Sequence, residues 1–228
     1  MTPRFDFDHI SSWIPDRARV LDLGCGDGEL LAGLAATKGV EGYGVEIDPA
    51  SVLAAVGHGI NVIQMDLESG LSMFEEDAFD FVILSQTLQA VRRSDLILRE
   101  MLRVGREGIV TFPNFGYWKH RIAILRGRMP VSESLPYEWY DTPNIHLCTV
   151  KDFEALCLKV GAEILDERVL HEGRIVETLP NAFGSLAVFR FRRRGLGQVL
   201  RNRPRFRARA ACRASTRGAR GPAARRGR

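Results

Sequence analysis

The chain has 228 residues, of which 45% are hydrophobic and 26% charged, a composition typical of one soluble globular domain. No apolar run approaches the roughly 18 residues that a membrane-spanning helix needs. The first ten residues, MTPRFDFDHI, lack the pattern of a signal peptide. The sequence therefore excludes a helical membrane protein and predicts a cytoplasmic location.

Charge is distributed unevenly along the chain. Residues 192–228 contain 14 of the 32 lysines and arginines and none of the 28 acids. Residues 1–191 therefore carry 18 basic and 28 acidic side chains, a net charge of −10. An acidic body offers no general electrostatic surface for nucleic acid, so we do not expect a nucleic-acid partner.

The cysteines show neither the paired spacing of a metal site nor that of a disulfide framework: Cys25, Cys148, Cys157 and Cys212. We interpret all four as reduced thiols and expect no metal site. Reduced thiols are typical of a cytoplasmic protein.

The first half of the chain alternates between strand and helix patterns. Strands are predicted at ARVLDLG, VEGYGVEID, GINVIQMD, FDFVILS and EGIVTFP. Helices are predicted at GELLAGLAATKG, after Pro49, and at SDLILREMLRVG, where Ser94 is the expected N-cap. Apolar strands that alternate with helices predict an α/β fold, a mostly parallel sheet covered by helices on both faces.

The pattern changes after Pro113. A helix is predicted at YWKHRIAILRG, but residues 127–149 have no period and contain three prolines, which is typical of a functional lid or of disorder. The segment TVKDFEALCLKVG predicts a helix that begins with a capping box of Thr149 and Asp152. Two further strands, AEILDERVL and GSLAVFRFRR, complete a domain of residues 1–194.

Residues 195–228 form a tail of arginine, alanine, glycine and proline that cannot bury a core, and we predict that it is disordered. One interpretation is a basic arm for nucleic acid or anionic lipid. The other is an extension without function, since a GC-rich message read out of frame yields this composition.

The segment VLDLGCGDGELL places Gly24, Gly26 and Gly28 between the first strand and the first helix after it. Glycine turns of this kind hold nucleotide-like ligands. The spacing G-x-G-x-G differs from the dinucleotide pattern G-x-G-x-x-G, and the acids of this segment would repel a pyrophosphate: Asp22, Asp27 and Glu29. A ligand with a cationic amino-acid end and no phosphate fits better, which favours S-adenosylmethionine over a dinucleotide.

Two more acids follow at successive strand ends. Glu46 lies twenty residues after Gly26 and can accept both ribose hydroxyls, and Asp66 lies twenty residues further and can accept from the adenine amino group. Leu67 could then pack on the adenine ring. The predicted cofactor-binding residues are Asp22, Gly24, Cys25, Gly26, Gly28, Glu46, Ile47, Asp66, Leu67 and Ser85.

These motifs, together with MDLESGL and FDFVILSQTLQAV, resemble those of class I S-adenosylmethionine-dependent methyltransferases. RFDFDHISSWIPDRARVLDLGCGDGELL, IVTFPNFGYWKHR and LPYEWYDTPNIHLCTVKDFEALC resemble, more narrowly, the MetW family of methionine-biosynthesis proteins. The similarity covers about residues 4–194. It implies a Rossmann-like sheet of seven strands with a reversed last strand, and homoserine O-acyltransferase as the partner.

The acceptor of a methyl group is less well marked. Amino-group methyltransferases often carry D/N-P-P-F/Y after strand four, where this chain has Ser85-Gln86-Thr87-Leu88, so an exocyclic amine of a nucleic acid is not expected. Candidate catalytic residues are His146 and, second, His120, with Asn114 at the expected substrate mouth. Loop histidines and asparagines of this kind more often have a structural role. The aromatic residues of the long segment could cover a substrate or pack onto the body: Tyr137, Trp139 and Tyr140.

Three hypotheses remain. The resemblance favours a methionine-pathway partner of the acyltransferase that keeps S-adenosylmethionine as a sensor or structural ligand. The second is a catalytic methyltransferase that acts on a small molecule. The third, a nucleic-acid methyltransferase, rests on the tail alone and is opposed by the acidic body.

Overall fold

The structure is a computed structural model that describes residues 4–195. Residues 196–228, nearly all of the predicted tail, and Cys212 lie outside the described residues. Within residues 4–195, no helix is long and apolar enough to cross a membrane.

One mixed sheet forms the centre of the domain. Its strands are β1 (Arg19–Leu23), β2 (Glu41–Glu46), β3 (Asn61–Gln64), β4 (Phe79–Ser85), β5 (Gly105–Pro113), β6 (Ala162–His171), β7 (Arg174–Ile175) and β8 (Leu186–Arg193). Their order is β3-β2-β1-β4-β5-β8-β6-β7. Strands β1 to β5 run parallel to one another, whereas β8 runs antiparallel to both β5 and β6.

This architecture confirms the predicted α/β fold with its reversed last strand. The sheet has eight strands rather than seven, because β6 turns back at Gly173 into the two-residue strand β7. Two residues are too short a stretch to produce an alternating pattern in the sequence.

Helices cover both faces of the sheet, as predicted. They are α1 (Asp6–Trp13), α2 (Glu29–Lys38), α3 (Pro49–Gly57), α4 (Ser94–Val104), α5 (Trp118–Leu125), α6 (Val150–Val160) and α7 (Pro180–Phe183). One core cluster joins α4 and α6 to the sheet, and the other joins α1 and α2 to it. Because both faces are covered, the central strand β4 is apolar at almost every position.

Local signals explain most of the helix ends. The capping box of α6 is formed: the Thr149 side chain accepts from the Asp152 N–H, and Asp152 accepts from the Thr149 N–H. Gly161 ends this helix in a left-handed conformation, φ 80°. The predicted N-cap of α4 is wrong, because Ser94 is the first residue of the helix and its hydroxyl donates to the Val91 carbonyl at 3.2 Å.

The predicted irregular segment, residues 127–149, lacks helices and strands in the structure. One isolated bridge, between Asn114 and Cys148, attaches it to the end of β5, and a second one, between Ser132 and Leu135, lies within the segment. The buried side chain of Leu135 anchors its middle. The segment thus lies beside the carboxyl end of β5, at the edge of the sheet where ligands bind in open α/β folds.

Candidate functional site

The glycine turn connects β1 to α2, and all three glycines have positive φ: 71° at Gly24, 56° at Gly26 and 78° at Gly28. A Cβ on Gly24 would lie 2.7 Å from the Thr87 hydroxyl oxygen, and one on Gly28 would lie 3.1 Å from the Ala55 Cβ. A Cβ on Gly26 would meet nothing within 4 Å. Gly24 and Gly28 therefore allow close packing, while Gly26 borders open space.

Glu46 joins this turn to the end of β2. Its Oε2 accepts from the Gly26 N–H at 2.9 Å, and its Oε1 accepts from the N–H groups of Ile47 and Asp48 at 2.8 and 3.0 Å. The structure thus brings together two residues that are twenty positions apart. Oε2 retains a lone pair for a further donor.

Asp66 lies next to this pair. The Met65 N–H donates to the Glu46 carbonyl at 2.9 Å, which holds the end of β3 beside the end of β2. The Asp66 side chain is exposed and accepts from the Glu68 N–H, and Leu67 packs partly against the core. Ile47, 58% exposed, follows Glu46. The predicted adenosine-binding residues thus flank one edge of the sheet.

Asp22, on β1 before the glycine turn, is 2% exposed, and its Oδ1 has no hydrogen-bond partner among the described residues. The pKa of Asp22 is raised from its ordinary value of 3.8 to about 7. Burial is the largest cause; Arg4 opposes it, and the Asp6 and Glu46 carboxylates add to it. A buried carboxyl of this kind is suited to a cationic ligand, since a buried charge without a partner is costly.

Ser85, at the end of β4, belongs to a network that the sequence did not predict. Its hydroxyl donates to Asp6 at 2.7 Å and accepts from Arg4 at 2.7 Å, and Thr111 donates to Asp6 at 3.0 Å. Burial alone would raise the pKa of Asp6, but the Arg4 guanidinium and the two hydroxyls outweigh it and lower that pKa. The hydroxyl of Ser85 is thus committed to α1.

The Cys25 side chain points into the core, where a Cβ on Gly44 would collide with its sulfur. Burial raises the pKa of the Cys25 thiol to about 12, as it does for Cys148 and Cys157. All three are free thiols. Only the backbone of Cys25 could face a ligand in the glycine turn.

Two of the candidate catalytic residues, Asn114 and His120, lie close to each other. Asn114 is fully buried, and its amide is fully used: it donates to the carbonyls of Asn181 and Gly184 and accepts from two N–H groups. The structure therefore gives Asn114 a structural place. His120 is buried against the Ser132 hydroxyl at 2.9 Å, and burial lowers its pKa.

His146 is exposed, and its Nε2 lies 3.0 Å from the Arg92 carbonyl. Its N–H and that of Ile145 donate to the Gln89 carbonyl, which holds the end of the long segment beside the turn after β4. His146 as a catalytic base stays a prediction.

Trp139 and Tyr140 are 70% and 71% exposed, and their rings meet edge to face at 5.7 Å. Tyr137 is also exposed. Of the two interpretations of these aromatics, the exposure disfavours packing onto the body.

Comparison with solved structures places the fold among methyltransferases. An S-adenosylmethionine-dependent methyltransferase from Mesorhizobium loti has a TM-score of 0.62 at 18% identity, over 83% of this chain and 98% of that one. The [4+2]-cyclase SpnF has a TM-score of 0.60 at 18% identity, over 82% of this chain and 80% of that one. At these identities the likeness concerns the fold.

Sequence comparison is more specific. The bifunctional methionine biosynthesis protein MetXA/MetW of Rhodopirellula baltica is 38% identical over 208 residues, which are 85% of this chain and 33% of the relative. The chain thus spans about a third of that relative's length. The family model of the methionine biosynthesis protein MetW matches residues 4–191. With its methyltransferase fold, the chain belongs to the MetW family of methionine biosynthesis proteins.

Proposed function

We propose that this protein binds S-adenosylmethionine in the space bordered by Gly26, Glu46 and Asp66, here called the cofactor cleft, and acts together with homoserine O-acyltransferase in methionine biosynthesis. The observation that carries the ligand is the buried Asp22 carboxyl, whose Oδ1 has no partner among residues 4–195. Asp22 suits the ammonium of the ligand's amino-acid end, and Glu46 and Asp66 suit the ribose hydroxyls and the adenine amino group.

The backbone of the glycine turn supports this ligand over a dinucleotide. Pyrophosphate-binding turns offer free N–H groups to the phosphate oxygens. Here the N–H groups of Gly24 and Cys25 donate to the Val45 carbonyl, and that of Gly26 donates to Glu46. The N–H of Gly28 donates to the Cys25 carbonyl. These four N–H groups are therefore not available to a phosphate.

When bound, S-adenosylmethionine supplies an electrophilic methyl group on a sulfonium. Methyl transfer would also require an aligned acceptor, and a hydroxyl acceptor would require a base. The occupied amide of Asn114 and the buried ring of His120 offer little for that step. We therefore propose a sensor or structural role for the ligand and keep turnover as the alternative.

The ligand is tested by calorimetric titration of the full chain with S-adenosylmethionine, S-adenosylhomocysteine and NADH. We expect the two adenosyl compounds to bind and the titration with NADH to show no heat of binding. If NADH bound more tightly than S-adenosylmethionine, the cleft would be a dinucleotide site instead. Formation of S-adenosylhomocysteine from S-adenosylmethionine, together with a methylated small-molecule acceptor, would replace the sensor role by catalysis.

The partner is supported by the Rhodopirellula relative, whose name combines MetXA and MetW in one chain. Trp139 and Tyr140 offer exposed aromatic anchors of the kind that are enriched at interfaces. We expect Trp139→Ala to weaken co-elution with the acyltransferase, and the acyltransferase activity that this protein supports, while S-adenosylmethionine binding survives. Leu53→Ala is the matched control, because it removes a largely exposed apolar side chain elsewhere, on α3. Equal co-elution of both variants would remove Trp139 from the interface.

A further inference from the structure

A second cavity lies at the same edge of the sheet, outside the predicted cofactor cleft. Its volume is about 300 Å³, and none of the predicted cofactor-binding residues lines it. It is bordered by Gln86 after β4, by the end of β6, the start of β8 and residues 131–134. That volume is at the lower end of the range for small-molecule sites, so the cavity suits a ligand smaller than a nucleotide.

The cavity has an apolar surface and a polar chain along one wall. Its apolar residues are Phe5, Val131, Leu170 and Leu186. The Tyr117 hydroxyl lies 3.4 Å from His171 Nε2, and His171 Nδ1 lies 3.3 Å from the Ser185 hydroxyl. The Ser185 hydroxyl also donates to the Leu170 carbonyl at 3.4 Å, which attaches this polar chain to the end of β6.

Charged side chains of both signs also line the cavity: Lys119, Glu133 and Glu172. Within residues 4–195, Lys119 and Glu133 belong to none of the ion pairs, and Glu172 lies 3.9 Å from His171. One cation and two carboxylates around an apolar surface can bind a carboxylate and an ammonium of the same small molecule.

We propose that this cavity binds a zwitterionic α-amino acid with an unbranched, uncharged side chain. Lys119 faces the carboxylate of the ligand, with the serine hydroxyls of residues 132 and 134 as further donors. Glu133 and Glu172 face the ammonium, and the side chain of the ligand covers the apolar residues. This inference rests on the proposed function only in treating the cofactor cleft as a separate site.

The N-terminal segment connects the cavity to the cleft. Phe5 lines the cavity, while its neighbours Arg4 and Asp6 form the network with Ser85. Gln86 lines the cavity directly after Ser85, with a left-handed φ of 49° and its N–H bonded to Thr111. A ligand in the cavity therefore contacts the same short segments that shape the end of β4.

The test uses three probes with the full chain: L-norleucine, hexanoate, which lacks the ammonium, and pentylamine, which lacks the carboxylate. Binding is followed by calorimetry and by saturation-transfer NMR. We expect norleucine to bind at least about tenfold more tightly than either truncated probe, since a charge-assisted hydrogen bond is worth that much. Lys119→Met should lower the norleucine affinity by about the same factor.

Arg126→Met is the matched control, because Arg126 ends the same helix and does not line the cavity. Both side chains are exposed, so both variants should fold. Absence of norleucine binding, equal binding of the truncated probes, or full affinity in Lys119→Met would overturn the proposal. Parallel titration with S-adenosylmethionine distinguishes the two proposals. Absence of norleucine binding alone would contradict the amino-acid site and leave the cofactor cleft supported. Absence of S-adenosylmethionine binding alone would contradict the cofactor cleft and leave the amino-acid site supported.

Discussion

Asp22→Asn tests the central assumption about the cofactor cleft. In the folded protein Asp22 holds its proton up to about pH 7, whereas the unfolded chain releases it near the ordinary pKa of 3.8. The folded state therefore binds more protons between these pH values, and the stability of the ligand-free protein falls as the pH rises from about 4 to 7. This pKa difference lowers the free energy of unfolding by about 4 kcal/mol once Asp22 is ionised.

Asparagine has the shape of aspartate without its charge. We expect Asp22→Asn to raise the free energy of unfolding of the ligand-free protein at pH 8, by up to about 4 kcal/mol, and to change it little at pH 4. Urea denaturation at the two pH values measures both numbers. An unchanged or lower stability of the variant at pH 8 would refute the claim that Asp22 is buried without a compensating partner.

As the pH rises, the affinity for S-adenosylmethionine should increase while the stability of the ligand-free protein decreases. A cationic ligand binds to the ionised form of Asp22, and only about a tenth of that carboxyl is ionised at pH 6. The affinity of the natural protein for S-adenosylmethionine should therefore rise roughly tenfold from pH 6 to pH 8, and that of Asp22→Asn should be lower and independent of pH. Calorimetric titration of both proteins at pH 6, 7 and 8 measures these affinities. A pH dependence that persists in the variant would assign the titration to another group.

Three further changes have definite outcomes. Glu46→Ala should lower S-adenosylmethionine affinity about tenfold by calorimetry and also lower the melting temperature, because Glu46 accepts from three backbone N–H groups; Glu46→Gln should recover part of the stability but little of the affinity. Gly26→Val should abolish binding in the same titration, since the new side chain fills the open space beside Gly26, whose own φ is positive. Deletion of residues 195–228 should leave the melting temperature and the affinity unchanged, because the tail has no apolar pattern to bury; precipitation or loss of ligand would show that it belongs to the domain.

Most of the fold could be predicted from the sequence, because the patterns that mark its helices and strands are local. The alternation of apolar strands with capped helices predicts β1 to β5 and α2 to α4 closely, and the Thr149 and Asp152 pair predicts the start of α6. The proximity of the proposed cofactor-binding residues to one another is predictable for the same reason. Parallel strands end at one edge, so acids at successive strand ends must lie near the glycine turn.

The parts that the sequence did not predict depend on distant contacts. Asp6 meets Ser85 and Thr111 across 79 and 105 residues, and Tyr117 meets His171 across 54. No periodicity marks such partners. Asn114 is the converse case, since its position after β5 points towards a ligand, while its amide in fact holds residues 116, 150, 181 and 184 together.

The N-terminal segment gives a physical reason for combining a methyltransferase fold with a sensing role. Arg4 and Asp6 bond to Ser85 and act electrostatically on Asp22 in the cleft, while Phe5 lines the second cavity. If ligands fill both sites, any shift of this segment that one ligand produces must change the affinity for the other by the same factor, because coupling between two binding sites is reciprocal. The segment therefore offers a route by which the binding of S-adenosylmethionine and the binding of the amino acid are coupled. Such a route requires no methyl transfer.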